Sequence, residues 1–317
     1  MSGIDTPAAV VTSRIRLAWR TDHDRAVAGI PHPRAASGLA SVVRAGVSLL
    51  ALVQDDAASI ALVDPATGLA EAIALPNPDG HRFDAPFGEK RLKPDLECCV
   101  LAPGLGPDRR DVIIAFGSGS TAARERIALV EPDGHSARLV AAHGLYAALN
   151  SSELGRGALN IEGAVLAGDR LWLFQRGNGG AAPGLAAVSL AALWDHLHGG
   201  PAPVVSDVRH VPLGDCDGVP LGFTDADIYR GRIWWLGSAE SSPNTYDDGA
   251  VAGSAIGLLD GPSAILCHPD GSRFLGKAEG LALISTTRAW VAVDPDDPEL
   301  PAELLELTLH GWPIASG

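Results

Sequence analysis

The sequence predicts an all-β fold, a five-bladed β-propeller, and three observations carry that prediction. Glycine (37) and proline (23) are abundant in a chain that is 46% hydrophobic, which favours many short strands joined by turns over long helices. Similar short segments recur along the 317 residues: "AASGLASVV" at Ser37, "PDLECCVLA" at Glu97, "GFTDADIYR" at Thr224 and "GKAEGLALI" at Glu279, with "LNIEGAVLAGDR" at Glu162 in the middle. Their separations of 60, 65, 62 and 55 residues are each the length of one four-stranded propeller blade.

Taken in order, each anchor opens an apolar strand, and a turn and a second apolar strand follow. The second strands are "SLLALV", "DVIIAF", "LWLF", "RIWWLG" and "AWVAV", and third strands follow in "SIALVD", "RIALVEPDG" and "AIGLLD". A helical pattern spans Leu190–Leu197 within "GLAAVSLAALWDHLHG", as an insertion or a helix at a blade edge. "AVVTSRIRLAW" precedes the first anchor, and the chain ends soon after "ELLELTLHG". The N-terminal strand is therefore expected to close the last blade, which removes two exposed edges. Residues 1–317 read as a single propeller domain; six blades, or two stacked domains, are the alternatives.

Formal net charge is −14, which argues against a nucleic-acid backbone or an anionic membrane as partner. A small-molecule substrate, anionic ones included, remains open because a local site can differ from the mean field; the sequence does not fix the oligomeric state. The N-terminus lacks a basic segment followed by a long apolar run, and no window approaches a membrane span, so a cytoplasmic protein is expected. Cys98, Cys99, Cys216 and Cys267 lack metal-type spacing and read as free thiols, the adjacent pair on opposite strand faces.

Why should Glu162 stand at the start of a strand whose partner is so apolar? In a propeller the first strand of each blade lines the central channel. Ser37, Glu97, Glu162, Thr224 and Glu279 would then form a ring whose three carboxylates raise one another's pKa unless a cation is present. Oxygen donors alone suit Ca²⁺ and disfavour zinc or copper. The alternative is that each anchor hydrogen-bonds a nearby loop amide.

The order Ser, Glu, Glu, Ser/Thr, Glu resembles that of the calcium-activated nucleotidases, the apyrase family, five-bladed propellers with one Ca²⁺ in the central tunnel. "LLALVQDDAASIALVD", "IEGAVLAGDRLWLFQR", "GFTDADI", "LGSAESS" and "KAEGLAL" are similar to segments of that family in the same order. The resemblance implies Ser37, Glu97, Glu162, Thr224 and Glu279 as calcium ligands, and Asp55, Asp56, Arg176 and Glu240 as cavity residues. Asp55, Arg176 and Glu240 are then the candidate catalytic residues of a hydrolase of phosphate esters or anhydrides: an arginine for phosphate oxygens and carboxylates to orient water. The chain departs from the family at "FGSGSTAARER", where a Gly/Ser loop, Gly117–Thr121, with Arg124 and Arg126 replaces a Gly-Lys-Glu-Trp segment. That loop is either an anion site or an ordinary propeller turn. The closer likeness is to bacterial propeller-like proteins sharing "DLE", "GSGS" and "NIEG". A propeller lactonase, for which Asn160 is the one asparagine beside an anchor, and a binding protein with structural calcium are the competing functions.

Overall fold

Five antiparallel meanders follow one another in the computed structural model, which describes residues 6–313 apart from 78, 82, 84–88, 135, 178–180 and 242–249. Ser242, the last serine of "LGSAESS", thus lies outside the described residues. Strands β1 (Ala8–Arg16) and β2 (Ala18–Trp19) and helix α1 (Asp22–Ala28) lead into the first meander, β3 (Ala36–Arg44), β4 (Val47–Gln54), β5 (Ser59–Val63) and β6 (Leu69–Ala74). The second is β7 (Leu96–Ala102), β8 (Val112–Gly117), β9 (Arg126–Val130) and β10 (Ala137–Ala141). After α2 (His143–Ser151) come β11 (Ile161–Ala167), β12 (Arg170–Gln175), β13 (Gly184–Ser189), α3 (Leu190–Leu197) and β14 (Ser206–His210). A short β15 (Asp215–Cys216) opens the fourth, β16 (Val219–Tyr229), β17 (Arg232–Ser241), β18 (Ala250–Leu258) and β19 (Ser263–Cys267). The chain finishes with β20 (Lys277–Ser285), β21 (Arg288–Asp294) and β22 (Glu303–His310).

The last meander has three strands of its own and takes its fourth from the N-terminus. β1 pairs antiparallel with β22, Ala8 opposite His310 and Arg16 opposite Glu303. It also runs parallel to β19 at Ala9 and Val10, so the last two meanders merge into one nine-stranded sheet. That second pairing is not foreseen from the sequence. The first strands touch in cyclic order, β3 to β7, β11, β16, β20 and back to β3, which makes the arrangement propeller-like.

Local chemistry explains the hairpins. β3 turns into β4 through Ala45 and Gly46, and β16 into β17 through Arg230 and Gly231; all four have φ between 49° and 79°. This is the backbone of a two-residue turn that matches strand twist. Gly168 and Asp169 turn β11 into β12, pairing Ala167 with Arg170. Interior strands are buried on both faces: every residue of "SIALV" in β5 and "VIIAFG" in β8 is buried. Within the apolar "LWLF" of β12, Trp172 is half-buried while Leu171, Leu173 and Phe174 are buried.

Helix α3 occupies the segment where a helical pattern is legible, while α1 and α2 are additions. Thr21 caps α1 by accepting the Asp24 amide, and Gly29 ends it at φ 72°. The Asp24 carboxylate accepts the amide of Ala72, tying the helix to the edge of the first sheet. Cys98 and Cys99 are buried in separate core clusters, as opposite strand faces require, and all four cysteines are free. Among the described residues no helix is long and apolar enough to cross a membrane.

Candidate metal centre

Each of the five anchors is the unpaired extra residue of a β-bulge. Pairing of β3 with β4 skips Ser37, β7 with β8 skips Glu97, and β11 with β12 skips Glu162. Likewise β16 with β17 skips Thr224, and β20 with β21 skips Glu279. A bulge bends its strand and re-aims one side chain. The residue before each anchor, namely Ala36, Leu96, Ile161, Phe223 or Ala278, is fully buried. Three anchors are followed by glycine, and two of these glycines allow inner strands to approach closely. A Cβ on Gly38 would lie 2.7 Å from Cys98 Cα, and one on Gly280 would lie 2.8 Å from Leu39 Cγ.

Two anchor glutamates, Glu162 and Glu279, and the non-anchor Glu240 gather around Arg176, which follows β12; Glu97 lies instead with Asp55 and Asp95. Its guanidinium lies 3.2 Å from Glu162, 2.6 Å from Glu240 and 4.0 Å from Glu279, joining the third, fourth and fifth meanders. Glu162 also accepts from Asn160 Nδ2 at 2.5 Å. Lys277 reaches Glu279 at 3.2 Å and Asp296 at 3.1 Å. One oxygen of Glu279, Oε2, is buried and accepts no hydrogen bond among the described residues. The hydroxyl anchors are tied to backbone: Thr224 Oγ1 donates to the Ala278 carbonyl at 2.7 Å and Ser37 Oγ to that of Ala35 at 3.3 Å. Donating the proton leaves each hydroxyl with lone pairs.

A second acidic group contains the anchor Glu97. Carboxylate oxygens of Asp55, Asp95 and Glu97 lie within 4.8 Å of one another. Lys93, itself buried, pairs with Asp55 and lies 2.7 Å from Asp95. Asp95 also pairs with Arg124 at 3.0 Å and accepts from Ser118 Oγ at 2.5 Å. The Gly117–Thr121 loop therefore turns a hydroxyl and Arg124 toward Asp95, while Arg126 is exposed at the start of β9. Asp56 sits apart, 3.0 Å from Arg34.

Electrostatics follow from this crowding. Burial, then Asp95, Glu162 and Asp55, push Glu97 well above the carboxylate range; Lys93 opposes them. Burial raises Glu162 against the pull of Arg176 and Lys277. Burial lifts Glu279 to about 8 although Lys277 and Arg176 oppose it. Burial disfavours the charged form of Arg176, yet Glu162, Glu279 and Glu240 outweigh it and raise the pKa. The two groups bring together six carboxylates (Asp55, Asp95, Glu97, Glu162, Glu240 and Glu279) and four cations (Lys93, Arg124, Arg176 and Lys277). With every carboxylate ionised, two negative charges would be left over, and the raised pKa values of Glu97, Glu162 and Glu279 answer that excess by favouring the neutral acids.

Lys93, Asp95 and Lys277 escape a reading of the sequence by anchors. The signal for them is a lysine two residues before an acid, in "RLKPDLE" and "GKAEG". Asp225, directly after the anchor Thr224, escapes it as well.

Fold and site together define a propeller-like β protein with an acidic, oxygen-lined centre. The chain belongs to DUF6929, a family of unknown function whose model matches residues 32–309. No curated protein matches it in sequence. Solved structures with a similar chain course include a PQQ-bound aldose sugar dehydrogenase from Streptomyces coelicolor (13% identity, TM-score 0.43, 96% of this chain and 99% of that one). A glutaminyl cyclase from Myxococcus xanthus (9%, 0.47, 96% and 97%) and a gluconolactonase from Xanthomonas campestris (12%, 0.38, 94% and 97%) are comparable. Likenesses this distant say nothing of activity.

Proposed function

We propose that residues 1–317 form one five-bladed β-propeller whose axial ring binds a hard divalent cation, Ca²⁺, and that the loaded protein hydrolyses phosphate esters or anhydrides. The observation that carries the cation is the set of five bulges at equivalent positions, each bearing an oxygen side chain. The donor chemistry suits the ion, while among the described residues the three acidic side chains whose oxygens lie within 4.8 Å of one another are Asp55, Asp95 and Glu97. Glu97, Glu162 and Glu279 supply carboxylates, Ser37 and Thr224 supply hydroxyls, and the orphaned Oε2 of Glu279 is a buried acceptor that lacks a partner among the described residues. Bound there, the cation would polarise a phosphoryl oxygen. In this reading Arg176 binds the anionic end of the substrate, while Asp55 and Glu240 orient water.

A structural role for the cation is the second reading, favoured by the fact that Arg176 and Asp55 already have ion-pair partners. The test is a calcium titration followed by melting temperature, with turnover assays on nucleoside diphosphates, sugar phosphates and simple lactones. Calcium-dependent release of phosphate supports the hydrolase, stabilisation without turnover supports the structural role, and lactone opening would replace the substrate class.

A further inference from the structure

Arg176 occupies the acidic centre in an unusual way. Among the described residues its guanidinium meets carboxylates and no backbone carbonyl: Glu162, Glu240 and Glu279, on three different meanders. Charge-assisted hydrogen bonds and an ion pair to carboxylates hold it, and its stem passes beside Gly222. Beside it Glu279, only 4% exposed, keeps an oxygen that the guanidinium does not satisfy. The centre thus contains a cation and still wants one.

We propose that Arg176 is a tethered counter-ion that competes with a divalent cation for Glu162 and Glu279, and that the exchange frees its guanidinium to receive a phosphate-class anion beside Glu240. This rests on the cation-binding reading of the ring. A dication at the same carboxylates carries twice the charge of a guanidinium and repels it. The shortest contact of Arg176, 2.6 Å, is to Glu240, which lies on β17 and is not an anchor, so this hold can survive the exchange. Leaving Glu162 and Glu279 exposes N–H groups of a planar fork suited to phosphate oxygens. Anion binding is then conditional on the cation, and by linkage the anion tightens cation binding in return. The two readings of Arg176, blade-to-blade ion pair and anion receptor, become two states of one residue.

Calorimetric titration separates the outcomes. CaCl₂ is titrated into wild type, Arg176→Ala and Arg176→Gln, and inorganic phosphate into each with and without calcium. Removing the internal competitor is expected to tighten calcium binding about tenfold or more. Phosphate binding is expected in calcium-loaded wild type and in no other sample. Equal or weaker calcium affinity in both variants overturns the proposal, as does phosphate binding to calcium-free wild type or undiminished binding to a loaded variant. If neither variant folds, the two wild-type phosphate titrations decide alone. Absence of calcium binding to wild type and variants alike is a different failure, that of the ring as a cation site.

Discussion

Two kinds of buried carboxylate lie close together on the inner strands, and they are answered differently. Glu162 and Glu279 are met by the long side chains of Arg176 and Lys277, and one oxygen is to spare. Asp225, directly after Thr224, is met by backbone. Its Oδ2 accepts the amides of Leu281 at 2.8 Å and Leu39 at 3.2 Å, and its Oδ1 accepts the amide of Ala226 at 2.8 Å. Leu39 and Leu281 each stand two residues beyond an anchor, so one carboxylate sets the relative height of three anchor-bearing strands. Asp227 repeats the device with Leu283 and Ile228, both at 2.7 Å. Amides fixed in a ladder make a brace, whereas Arg176 and Lys277 reach their carboxylates through single side chains.

The largest effect is expected of Asp225→Ala. Three amides lose their acceptor in the interior, at about 1–3 kcal/mol each, so a total on the order of 5 kcal/mol is expected. The variant should be insoluble or melt more than about 10 °C below wild type. Melting within a degree or two of wild type would show that Asp225 braces nothing. Next in size is the response to calcium. At about a hundred times its dissociation constant, a ligand stabilises by roughly 2.7 kcal/mol, and differential scanning calorimetry should register a clear upward shift that Glu162→Gln abolishes. An undiminished shift in that variant removes Glu162 from the ligand set.

Packing of the ring supplies a smaller effect. Gly38→Ala sets a Cβ against the backbone of the neighbouring inner strand, at 2.7 Å from both Cys98 Cα and the Glu97 carbonyl oxygen. A cost of about 1–3 kcal/mol should lower the urea midpoint with little change in slope. A neutral Gly38→Ala would mean that the inner strands are not held tightly together. The pH profile carries the smallest shift. Because the Glu279 pKa rises to about 8 on folding, its contribution to stability is full below about pH 4.5 and is lost as pH rises through about 8. Asp227, raised to about 6, has the same sign at lower pH. Calcium-free protein should therefore melt a few degrees lower at pH 8.5 than at pH 5, on the order of 3 °C, and calcium should flatten the profile. A calcium-free profile that rises over this range would contradict the assigned direction.

The anchors and second strands are legible in the sequence because each is local: an oxygen residue, an apolar strand, a turn and another apolar strand. So is the pairing of β1 with β22, since an unpaired N-terminal strand and a three-stranded last meander need each other. Bulges are not legible, because the skipped residue is defined by its partner strand. The filling of the centre is hidden for a related reason. Lys93 finds Asp55 from 38 residues away and Arg176 finds Glu240 from 64, which no window of local pattern contains. Helix α2 lacks a side-chain hydrogen bond at its N-cap, leaving little signal, whereas the Thr21 and Gly29 caps of α1 are present and easily overlooked in so short a helix.

The seam between β1 and β22 has a consequence for biosynthesis. Val10 lies opposite Thr308, so β1 has no antiparallel partner until β22 has been synthesised and has left the ribosome. Until then its amides and carbonyls, and those of β19, are open to strands of other nascent chains. Slow late closure follows from such distant pairing, and the yield of soluble protein should depend on how crowded those unfinished copies are.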